Sequence, residues 1–467
     1  MLALALFDAS AGHGDPVVPI LLALVFLSGG AVIGGRLMTL LKQPAVLGEL
    51  LVGVLAGNLG YWLGINGITV LREGDNLRKI SDLALTSSST AVQAVYQVLP
   101  ANEAARVAAA LSSAHSLDYL AIYSFVDFLS RIAILILLFL VGLETSLVEM
   151  KRVGKTALLV AIIGIVVPMA LGMGTMKLLH PDSALASDLF IGGILTATNV
   201  GITARVLRDL GQEHRDESRV ILGAAVIDDV LSLIVLAVVS GLAVTGRVQP
   251  LEIARITFVA AIFLAGSLGV GIWLTPKLVR RLSGAGIQNL KLLFGLTFAL
   301  LLSWLANEAG LATIVGAFAA GMILNDFFDK ELEGESLQHL LSPVESIVVP
   351  LFFVWMGIQV KLEALGSRDI LISGLALTVV AIVGKLASGF ACPPGMNRWA
   401  VGIGMMPRGE VGLIFAGIGK GIRVIDDGLF SAIVILVMIT TLLAPILLRV
   451  TLGQGPAPAA NRGALPV

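Results

Sequence analysis

Two adjacent aspartates interrupt an otherwise apolar stretch of the sequence, Ile221-Leu-Gly-Ala-Ala-Val-Ile-Asp228-Asp229-Val-Leu-Ser232-Leu-Ile-Val-Leu-Ala237. It forms the centre of an apolar segment, residues 218–246, that is long enough to cross a bilayer as a helix. An ionisable residue at bilayer depth costs roughly 2.5–3.5 kcal/mol on insertion scales, so it is seldom there for packing alone. Asp228 and Asp229 are therefore the first candidates for a functional site, and Ser232 beside them is a further one.

The composition of the whole chain also indicates a membrane protein. Of its 467 residues, 57% are apolar and only 13% are charged, whereas soluble domains carry about 25% charged residues. The net charge of −1 offers no basic field for nucleic acid. The single cysteine, Cys392, excludes an intramolecular disulfide, and the five histidines are scattered. We therefore expect no transition-metal site and no nucleic-acid partner.

Hydropathy predicts about thirteen transmembrane helices, each needing about 20 mostly apolar residues. The predicted windows are 17–41, 44–66, 119–143, 154–179, 185–207, 218–246, 251–275, 287–305, 309–325, 343–363, 369–392, 398–419 and 428–451. More lysines and arginines fall on the inner side when the N-terminus, with the short segment 1–16, is placed outside. The segment 67–118 is too polar to span, so we expect extramembrane or interfacial helices there.

The thirteen windows divide into two sets of six joined by a linker. The first set covers 17–246, the linker is 251–275, and the second set covers 287–451, followed by a short flexible tail, 452–467. Seven crossings separate the first windows of the two sets, so the second set is inserted upside down. The sequence therefore predicts an inverted repeat of the kind that many secondary transporters use.

The fifth window of each set is rich in glycine and polar residues at its centre. The first contains Thr198-Asn199-Val-Gly201-Ile-Thr203, and the second contains Pro407-Arg408-Gly409-Glu410-Val-Gly412. Corresponding interrupted helices in the two halves of a transporter indicate the binding site. We expect a discontinuous helix at each of these two positions, with Thr198 and Asn199 facing the ion.

A cationic partner for one aspartate lies deep in the window 369–392. Lys385 could form a buried ion pair with Asp228 or Asp229, which would leave the other carboxylate to bind a hard cation or a proton. The Thr198 hydroxyl, the Asn199 amide oxygen and unwound backbone carbonyls are the oxygen ligands that such a cation prefers.

Further candidate residues flank the second interruption or lie near the ends of the predicted windows. Pro407, Arg408 and Glu410 flank the second interruption, where they could satisfy exposed helix ends or contact the ion. Glu49 and Glu144 lie near the ends of their windows, where either could be the partner of Arg408 or simply interfacial.

Five strings carry a resemblance to the second monovalent cation:proton antiporter family. They are Gln43-Pro44-Ala-Val-Leu-Gly48-Glu49-Leu-Leu-Val-Gly53, Leu138-Phe-Leu-Val-Gly-Leu-Glu144, Ala197-Thr198-Asn199-Val-Gly201-Ile-Thr203, Ala224-Ala-Val-Ile-Asp228-Asp229-Val-Leu and Gly384-Lys385. The resemblance extends over about 17–66 and 119–451. It implies a thirteen-helix inverted-repeat bundle in which the two discontinuous helices cross. Such a protein is usually a homodimer in the lipid bilayer, and its core domain moves against a dimerisation domain.

The resemblance also assigns roles. Asp229 corresponds to the aspartate that binds the ion or proton, and Asp228 corresponds to the one that pairs with the lysine, here Lys385. Members with two aspartates resemble electrogenic exchangers, in which two protons move against one sodium ion, and such exchangers serve pH homeostasis. The insertion 67–118 departs from the general pattern and looks like an elaboration of cyanobacterial members. The soluble nucleotide-binding domain of glutathione-gated members is not expected in this chain.

Several functions remain open at this point. We expect exchange of sodium, with lithium as a further substrate, for protons without any cofactor; potassium/proton exchange on the same scaffold is the alternative. A channel would show pore-lining repeats around an axis. An intramembrane enzyme is disfavoured because the two aspartates diverge on one helix. The expected location is a bacterial plasma membrane or a cyanobacterial thylakoid membrane.

Overall fold

A computed structural model describes residues 17–41, 43–86, 91–99, 101–144, 154–199, 215–245, 290–311, 313–325 and 335–452, with isolated positions between 203 and 212 and between 251 and 277. Every regular element in these ranges is helical, which confirms the predicted all-α class. The segments 1–16 and 453–467 and most of the linker 251–275 lie outside the described residues, so their predicted roles stay predictions.

The helices of the described ranges, numbered in chain order, fall before and after the linker. Those before it are α1 (Val17–Leu40), α2 (Ala45–Trp62), α3 (Asn66–Arg72), α4 (Asp75–Thr86), α5 (Ala91–Val98), α6 (Ala101–Leu111), α7 (Ser116–Glu144), α8 (Lys155–Leu179), α9 (Leu185–Ile194) and α10 (Asp216–Thr245). Those after it are α11 (Leu290–Glu308), α12 (Thr313–Asn325), α13 (Leu337–Ile358), α14 (Arg368–Ser388), α15 (Arg398–Gly404), α16 (Glu410–Gly421) and α17 (Asp427–Leu452).

Nine of the described helices are long and apolar enough to cross a bilayer, namely α1, α2, α7, α8, α10, α11, α13, α14 and α17. The predicted number of thirteen is therefore not confirmed. Two of the predicted windows are interrupted as expected: helical conformation is lost at 195–199 after α9, and at 405–409 between α15 and α16. Each interruption divides its window into pieces shorter than a bilayer crossing.

The chain folds into two compact units that cut across the two predicted repeats. Unit 1 consists of Met1–Thr145, Val259–Ile370 and Asp426–Val434. Unit 2 consists of Ser146–Phe258, Leu371–Ile425 and Ile435–Val467. Each unit therefore takes helices from both halves of the sequence, and α17 begins in unit 1 and ends in unit 2. The repeat boundaries 17–246 and 287–451 stay predictions.

Small residues allow close helix packing within unit 1. Gly34 of α1 faces Gly48 of α2 with no room for a side chain on either. Gly142 of α7 meets Gly321 of α12 in the same way, because a Cβ at Gly142 would lie 3.0 Å from the Gly321 Cα. Interfaces of small residues are typical of helices packed within a membrane.

The insertion predicted at 67–118 contains α3, α4, α5 and α6, which have 7 to 12 residues each and are too short to cross a bilayer. Their apolar faces join one buried core of unit 1, together with residues of the longer helices. Representative members of this core are Leu27, Ile68, Val95, Val107, Tyr123 and Trp355. The insertion is thus packed onto unit 1, and its extramembrane position stays a prediction.

Four segments of unit 1 meet at the buried ammonium group of Lys361. Its Nζ lies 3.2 Å from Glu73, 2.5 Å from Glu103 and 2.7 Å from Asp427. Burial alone would lower the pKa of Lys361, but the three carboxylates outweigh it and hold that pKa above its ordinary value. Since Glu73 and Glu103 belong to the insertion, the charged lysine ties the insertion to the first residue of α17.

A second set of contacts fastens the insertion to α2. Arg72 donates to both carboxylate oxygens of Glu363 and, from Nη2, to the side-chain oxygen of Asn58 at 2.8 Å. The ring of Tyr61 lies between two guanidinium groups, with the Cζ atoms of Arg72 and Arg106 each 4.3 Å from its centroid. These contacts hold α3 and α6 against the C-terminal end of α2.

The predicted window 343–363 is wrong at both ends, because α13 runs from Leu337 to Ile358. The helix begins earlier because the Ser336 side chain accepts a hydrogen bond from the backbone N–H of His339 at 3.2 Å and caps it. It also ends earlier, at Ile358. The non-helical segment that follows brings Lys361 to the carboxylates of the insertion and α17.

Candidate functional site

The two adjacent carboxylates lie on α10, in unit 2. The Asp228 side chain is fully buried, and Asp229 is 6% exposed. Lys385 of α14 is also fully buried, with its Nζ 3.0 Å from Oδ1 and 3.2 Å from Oδ2 of Asp228. The first aspartate therefore forms the ion pair with the lysine. Asp229 projects about 100° further around the helix axis and lies within electrostatic range of Lys385.

Close packing of α14 against α8 positions Lys385. A Cβ at Gly384 would lie 2.8 Å from the Cα of Pro168, so the backbones of these two helices touch. A Cβ at Gly164, about one turn earlier on α8, would lie 3.5 Å from the Lys385 Nζ. The lysine head group thus lies in van der Waals contact distance of α8 at position 164.

The first interruption brings Thr198 and Asn199 to the ion pair. Both residues are buried and lie in the non-helical segment after α9. The Thr198 hydroxyl donates to the carbonyl oxygen of Met405 at 3.3 Å and lies beside the Asp228 carboxylate. The backbone N–H of Asn199 donates to the carbonyl oxygen of Pro407 at 2.9 Å. The two interruptions therefore contact each other directly.

A glycine makes this crossing possible. A side chain at Gly409 would overlap the side chain of Asn199, so the Asn199 side chain lies directly against the backbone of the second interruption. Gly409 has φ −131°, which any residue can adopt, so the requirement is space and not backbone conformation. Glycine and polar residues predicted the two interruptions and the resemblance implied that they cross, and the structure adds the partner of this particular glycine.

Arg408 is buried between backbone carbonyl groups. Its guanidinium donates to the carbonyl oxygens of Ile194 at 3.4 Å and Ala197 at 2.9 Å, and to that of Ala381 at 3.4 Å. The first two belong to the C-terminal end of α9 and the unwound residues after it, where helix carbonyls lack partners and the helix dipole is negative. Arg408 also lies within electrostatic range of Asp228. The guanidinium therefore joins α9, α14 and the second interruption.

Ser232 lies on α10 one turn after Asp228 and contacts the first interruption. Its Oγ is 3.3 Å from the Oγ1 of Thr196, which itself donates to the carbonyl oxygen of Gly193 at 2.7 Å. A hydroxyl has one proton, so Ser232 is the donor of this pair. Ser232 thus links α10 to the unwound segment through Thr196, without contact to either aspartate in this hydrogen bond.

The remaining predicted residues are placed differently. Glu49 is buried on α2, within unit 1. The side chains of Glu144 and Glu410 lie outside the described part of the structure. Pro407 contributes its carbonyl oxygen to the crossing. The hydrogen bonds described for Arg408 go to carbonyl oxygens, not to the carboxylate partner that the sequence left open.

Sequence reasoning missed Thr196 and Thr441. Thr441 of α17 donates from its hydroxyl to the backbone carbonyl oxygen of Arg408. The available signal was the adjacent pair Thr440-Thr441 in an otherwise apolar segment. It was weak, because a threonine within a helix can hydrogen-bond to a carbonyl of its own preceding turn.

The side chains and carbonyl groups of this arrangement offer oxygen atoms of the kind that hard cations prefer. Two carboxylates, a hydroxyl, an amide and unwound backbone carbonyls gather where α10 passes the two interruptions. Oxygen ligands of this kind suit alkali cations, and carboxylates also take up protons. Lys385 and Arg408 balance the two carboxylate charges.

The sequence matches known families over nearly its whole length. The family model described as "Sodium/hydrogen exchanger, transmembrane" matches residues 20–453. The high-affinity Na⁺/H⁺ antiporter NhaS3 of Synechocystis is 35% identical over 437 residues, which is 92% of this chain and 89% of that protein. The Na⁺/H⁺-K⁺ antiporter GerN of Bacillus cereus is 33% identical over 333 residues, 70% of this chain and 83% of GerN.

The fold agrees with these sequence matches. The sodium proton antiporter MjNhaP1 of Methanocaldococcus jannaschii superposes with a TM-score of 0.60 at 16% identity, covering 94% of this chain and 98% of that one. Such a likeness shows a shared fold, and it includes both compact units. Together with the family match over residues 20–453, these findings show that the chain is a multi-pass membrane protein that belongs to the sodium/hydrogen exchanger family.

Proposed function

We propose that this protein exchanges sodium ions for protons by alternating access, with Asp229 binding either a sodium ion or a proton but never both. The observation that carries the proposal is the division of labour between adjacent carboxylates. Asp228 is bonded to Lys385 through both oxygens. Asp229, the next residue, faces another direction on the same helix and is still buried.

The surrounding oxygen atoms support a sodium ion as the cargo. Thr198 and Asn199 bring a hydroxyl and an amide to the carboxylates, and the unwound segments bring carbonyl oxygens. Relatives named as Na⁺/H⁺ antiporters share 35% and 30% of their aligned residues with this chain. The cargo and the protein need no cofactor for this exchange.

In the exchange cycle, Asp228 releases Lys385 when sodium enters and binds it again when protons return. A sodium ion that recruits both carboxylates leaves the ammonium without its partner, so proton uptake and sodium release are coupled. Exchange of two protons for one sodium ion moves net charge, so transport is electrogenic. Because protons compete with sodium for the same carboxylate, activity rises with pH.

The ion travels with unit 2 in this proposal, because Asp228, Asp229, Lys385 and Arg408 all belong to it. Unit 1 then serves as the scaffold and supplies the homodimer interface. Large apolar side chains of α1, such as Val25, Val32 and Ile33, are exposed and suit lipid or a second copy of the chain. Sedimentation in detergent distinguishes a dimer from a monomer.

Potassium is the second candidate cargo. The relative GerN is named a Na⁺/H⁺-K⁺ antiporter, and both ions take oxygen ligands. Selectivity between them depends on the size of the cavity rather than on the type of ligand. Sodium/proton exchange and potassium/proton exchange would therefore use the same site residues, and only a transport measurement distinguishes them.

The test is a fluorescence assay on purified protein in vesicles that carry a pH gradient. Addition of sodium, lithium or potassium to the outside should release protons and restore the quenched fluorescence of a pH-sensitive dye. We expect a response to sodium and lithium that grows with pH, and a weaker response to potassium. A response to potassium alone would mean that potassium, and not sodium, is the transported ion. The absence of a response to any alkali cation would refute antiport.

A further inference from the structure

Unwound backbone within a membrane needs hydrogen-bond donors from elsewhere in the protein. Carbonyl groups that face lipid or apolar side chains without a partner cost several kcal/mol each, so broken helices persist only where other groups satisfy them. The second interruption, residues 405–409, presents a series of such carbonyls between α15 and α16. The identity of the donors therefore decides what holds the interruption in place.

Three threonine hydroxyl groups and one backbone N–H serve these carbonyls. Proceeding along the chain, the acceptor and donor pairs are Gly404 with Thr203 at 2.7 Å, Met405 with Thr198 at 3.3 Å, Pro407 with the N–H of Asn199 at 2.9 Å, and Arg408 with Thr441. Thr198 and Asn199 belong to the first interruption, and Thr203 follows it in the chain. Thr441 is different, because it reaches the interruption from the regular helix α17.

The neighbouring threonine on α17, Thr440, forms hydrogen bonds only within its own helix among the contacts described. Thr440 Oγ1 hydrogen-bonds within its own helix, to the carbonyl oxygens of Leu436 at 3.0 Å and Val437 at 3.1 Å. Thr441, by contrast, is 2% exposed and bonds a carbonyl 33 residues away in sequence. The pair therefore offers a local hydroxyl and a long-range hydroxyl in the same helix at nearly the same depth.

Arg408 is held at two ends by these contacts. Thr441 fixes its backbone carbonyl, while its guanidinium binds the carbonyls of Ala197 and Ala381. Ala381 lies one turn before Lys385 on α14, so the arginine connects α17 to the helix that carries the lysine. Rotation of the peptide group at Arg408 would shift both its guanidinium and the adjacent Gly409, which passes against Asn199.

We infer that Thr441 is a positioning residue of the ion site: it orients the Arg408 peptide and thereby the crossing that presents oxygen ligands to sodium. This inference rests on the proposed function. Removal of the hydroxyl leaves a buried carbonyl without a donor, and the interruption relaxes toward another arrangement. The sodium affinity falls because its oxygen ligands are no longer held in place.

The experiment compares Thr441→Val with Thr440→Val in reconstituted vesicles, each variant having lost one hydroxyl from a side chain of the same shape. We expect Thr441→Val to raise the apparent KM for sodium about five- to tenfold, as loss of one buried hydrogen bond does, with a smaller change in maximal rate. Thr440→Val should stay within about twofold of the wild type. Thr441→Ser, which keeps the donor, should restore the wild-type KM.

Each outcome has a defined meaning. Equal KM values for Thr441→Val and Thr440→Val would overturn the inference, as would a Thr441→Val that loses only thermal stability. Should Thr441→Val fail to fold, Thr441→Ala takes its place with Thr440→Ala as its control: a KM raised only in Thr441→Ala supports the inference, and equal KM values overturn it. If the wild type itself shows no sodium-driven proton release, the proposed function fails and this inference fails with it.

Discussion

Lys385 binds both carboxylate oxygens of Asp228, at 3.0 Å and 3.2 Å, and neither side chain is exposed to solvent. The pair joins α14 to α10 inside unit 2. A buried ion pair of this kind is weak evidence for stability in itself, but its partners depend strongly on each other. The consequences can be measured on the two residues separately and together.

The change Lys385→Ala should lower the free energy of unfolding by about 3–5 kcal/mol, because it leaves the Asp228 carboxylate buried without its cation. The double variant Asp228→Asn with Lys385→Met removes both charges and should recover a large part of that loss. Thermal unfolding in detergent measures both effects. A double variant no more stable than Lys385→Ala would contradict this account of the pair. The membrane-potential dependence of exchange should also change in Lys385→Ala.

Gly409→Ala should abolish exchange, because the added methyl group would overlap the Asn199 amide where the two interruptions cross. Gly412→Ala is the matched control on the same segment: its Cβ would meet nothing closer than the Val437 Cγ2 at 3.6 Å. We expect near wild-type transport from the control in the vesicle assay. Equal activity of the two alanine variants would show that the crossing tolerates a side chain.

Lys361→Met should loosen the insertion. The carboxylate oxygens of Glu73, Glu103 and Asp427 lie within 4.8 Å of one another, so they repel when the ammonium is removed. Hydrogen exchange of the amides of α6 should accelerate, and thermal stability should fall by an amount comparable to loss of a buried pair, about 3–5 kcal/mol.

The control for this variant is Arg131→Ala. Arg131 is exposed and pairs with Asp127 on the same helix at 2.9 Å. A pair of this type contributes at most about 1 kcal/mol. If the rate of hydrogen exchange at the α6 amides is the same in Lys361→Met as in the wild type, the insertion is held by its apolar core and not by the lysine.

The pH dependence of Glu363→Gln follows from the pKa of Glu363. Burial would raise this pKa, but the hydrogen bond and charge of Arg72, aided by Lys361, lower it below its ordinary value. A lowered carboxyl pKa contributes stability that is present above the ordinary value and is lost as pH falls through the lowered one. The variant should therefore be less stable than wild type at neutral pH, and the difference should shrink in acid.

Lys361 has the opposite dependence. Its pKa is raised, so its contribution is complete below the ordinary lysine value and is lost only as pH rises through the raised pKa. The stability difference between wild type and a neutral variant, which combines Lys361→Met with Glu73→Gln, Glu103→Gln and Asp427→Asn, should therefore stay constant between about pH 6 and 9, where lysine does not titrate. Thermal unfolding across that range measures it, and a marked slope would contradict a permanently charged tie.

The residues that sequence reasoning found are those whose presence in a membrane is costly. Asp228, Asp229 and Lys385 are conspicuous because charge at bilayer depth demands an explanation, and the interruptions follow from glycine and proline. The nine described helices that could span a bilayer follow from apolar length in the same way.

Three-dimensional contacts between distant segments were beyond that reasoning. Lys361 lay at the edge of a predicted window, and nothing local indicated that Glu73, Glu103 and Asp427 converge on it. The carbonyl partners of Arg408 are equally invisible, because they depend on where α9 ends in space. Hydroxyl donors such as Thr441 resemble ordinary helix threonines until the fold is known.

In the proposed mechanism the second carboxylate of the pair, Asp229, carries the exchanged ion. The variant Asp229→Asn removes that carboxylate. The measurement is sodium-driven proton flux in vesicles, with Asp127→Asn on α7 as a control carboxylate and thermal unfolding to establish that both variants are folded. The proposed mechanism expects Asp229→Asn to fall to the level of protein-free vesicles while Asp127→Asn retains transport. Sodium-driven proton flux that persists in a folded Asp229→Asn would contradict the mechanism.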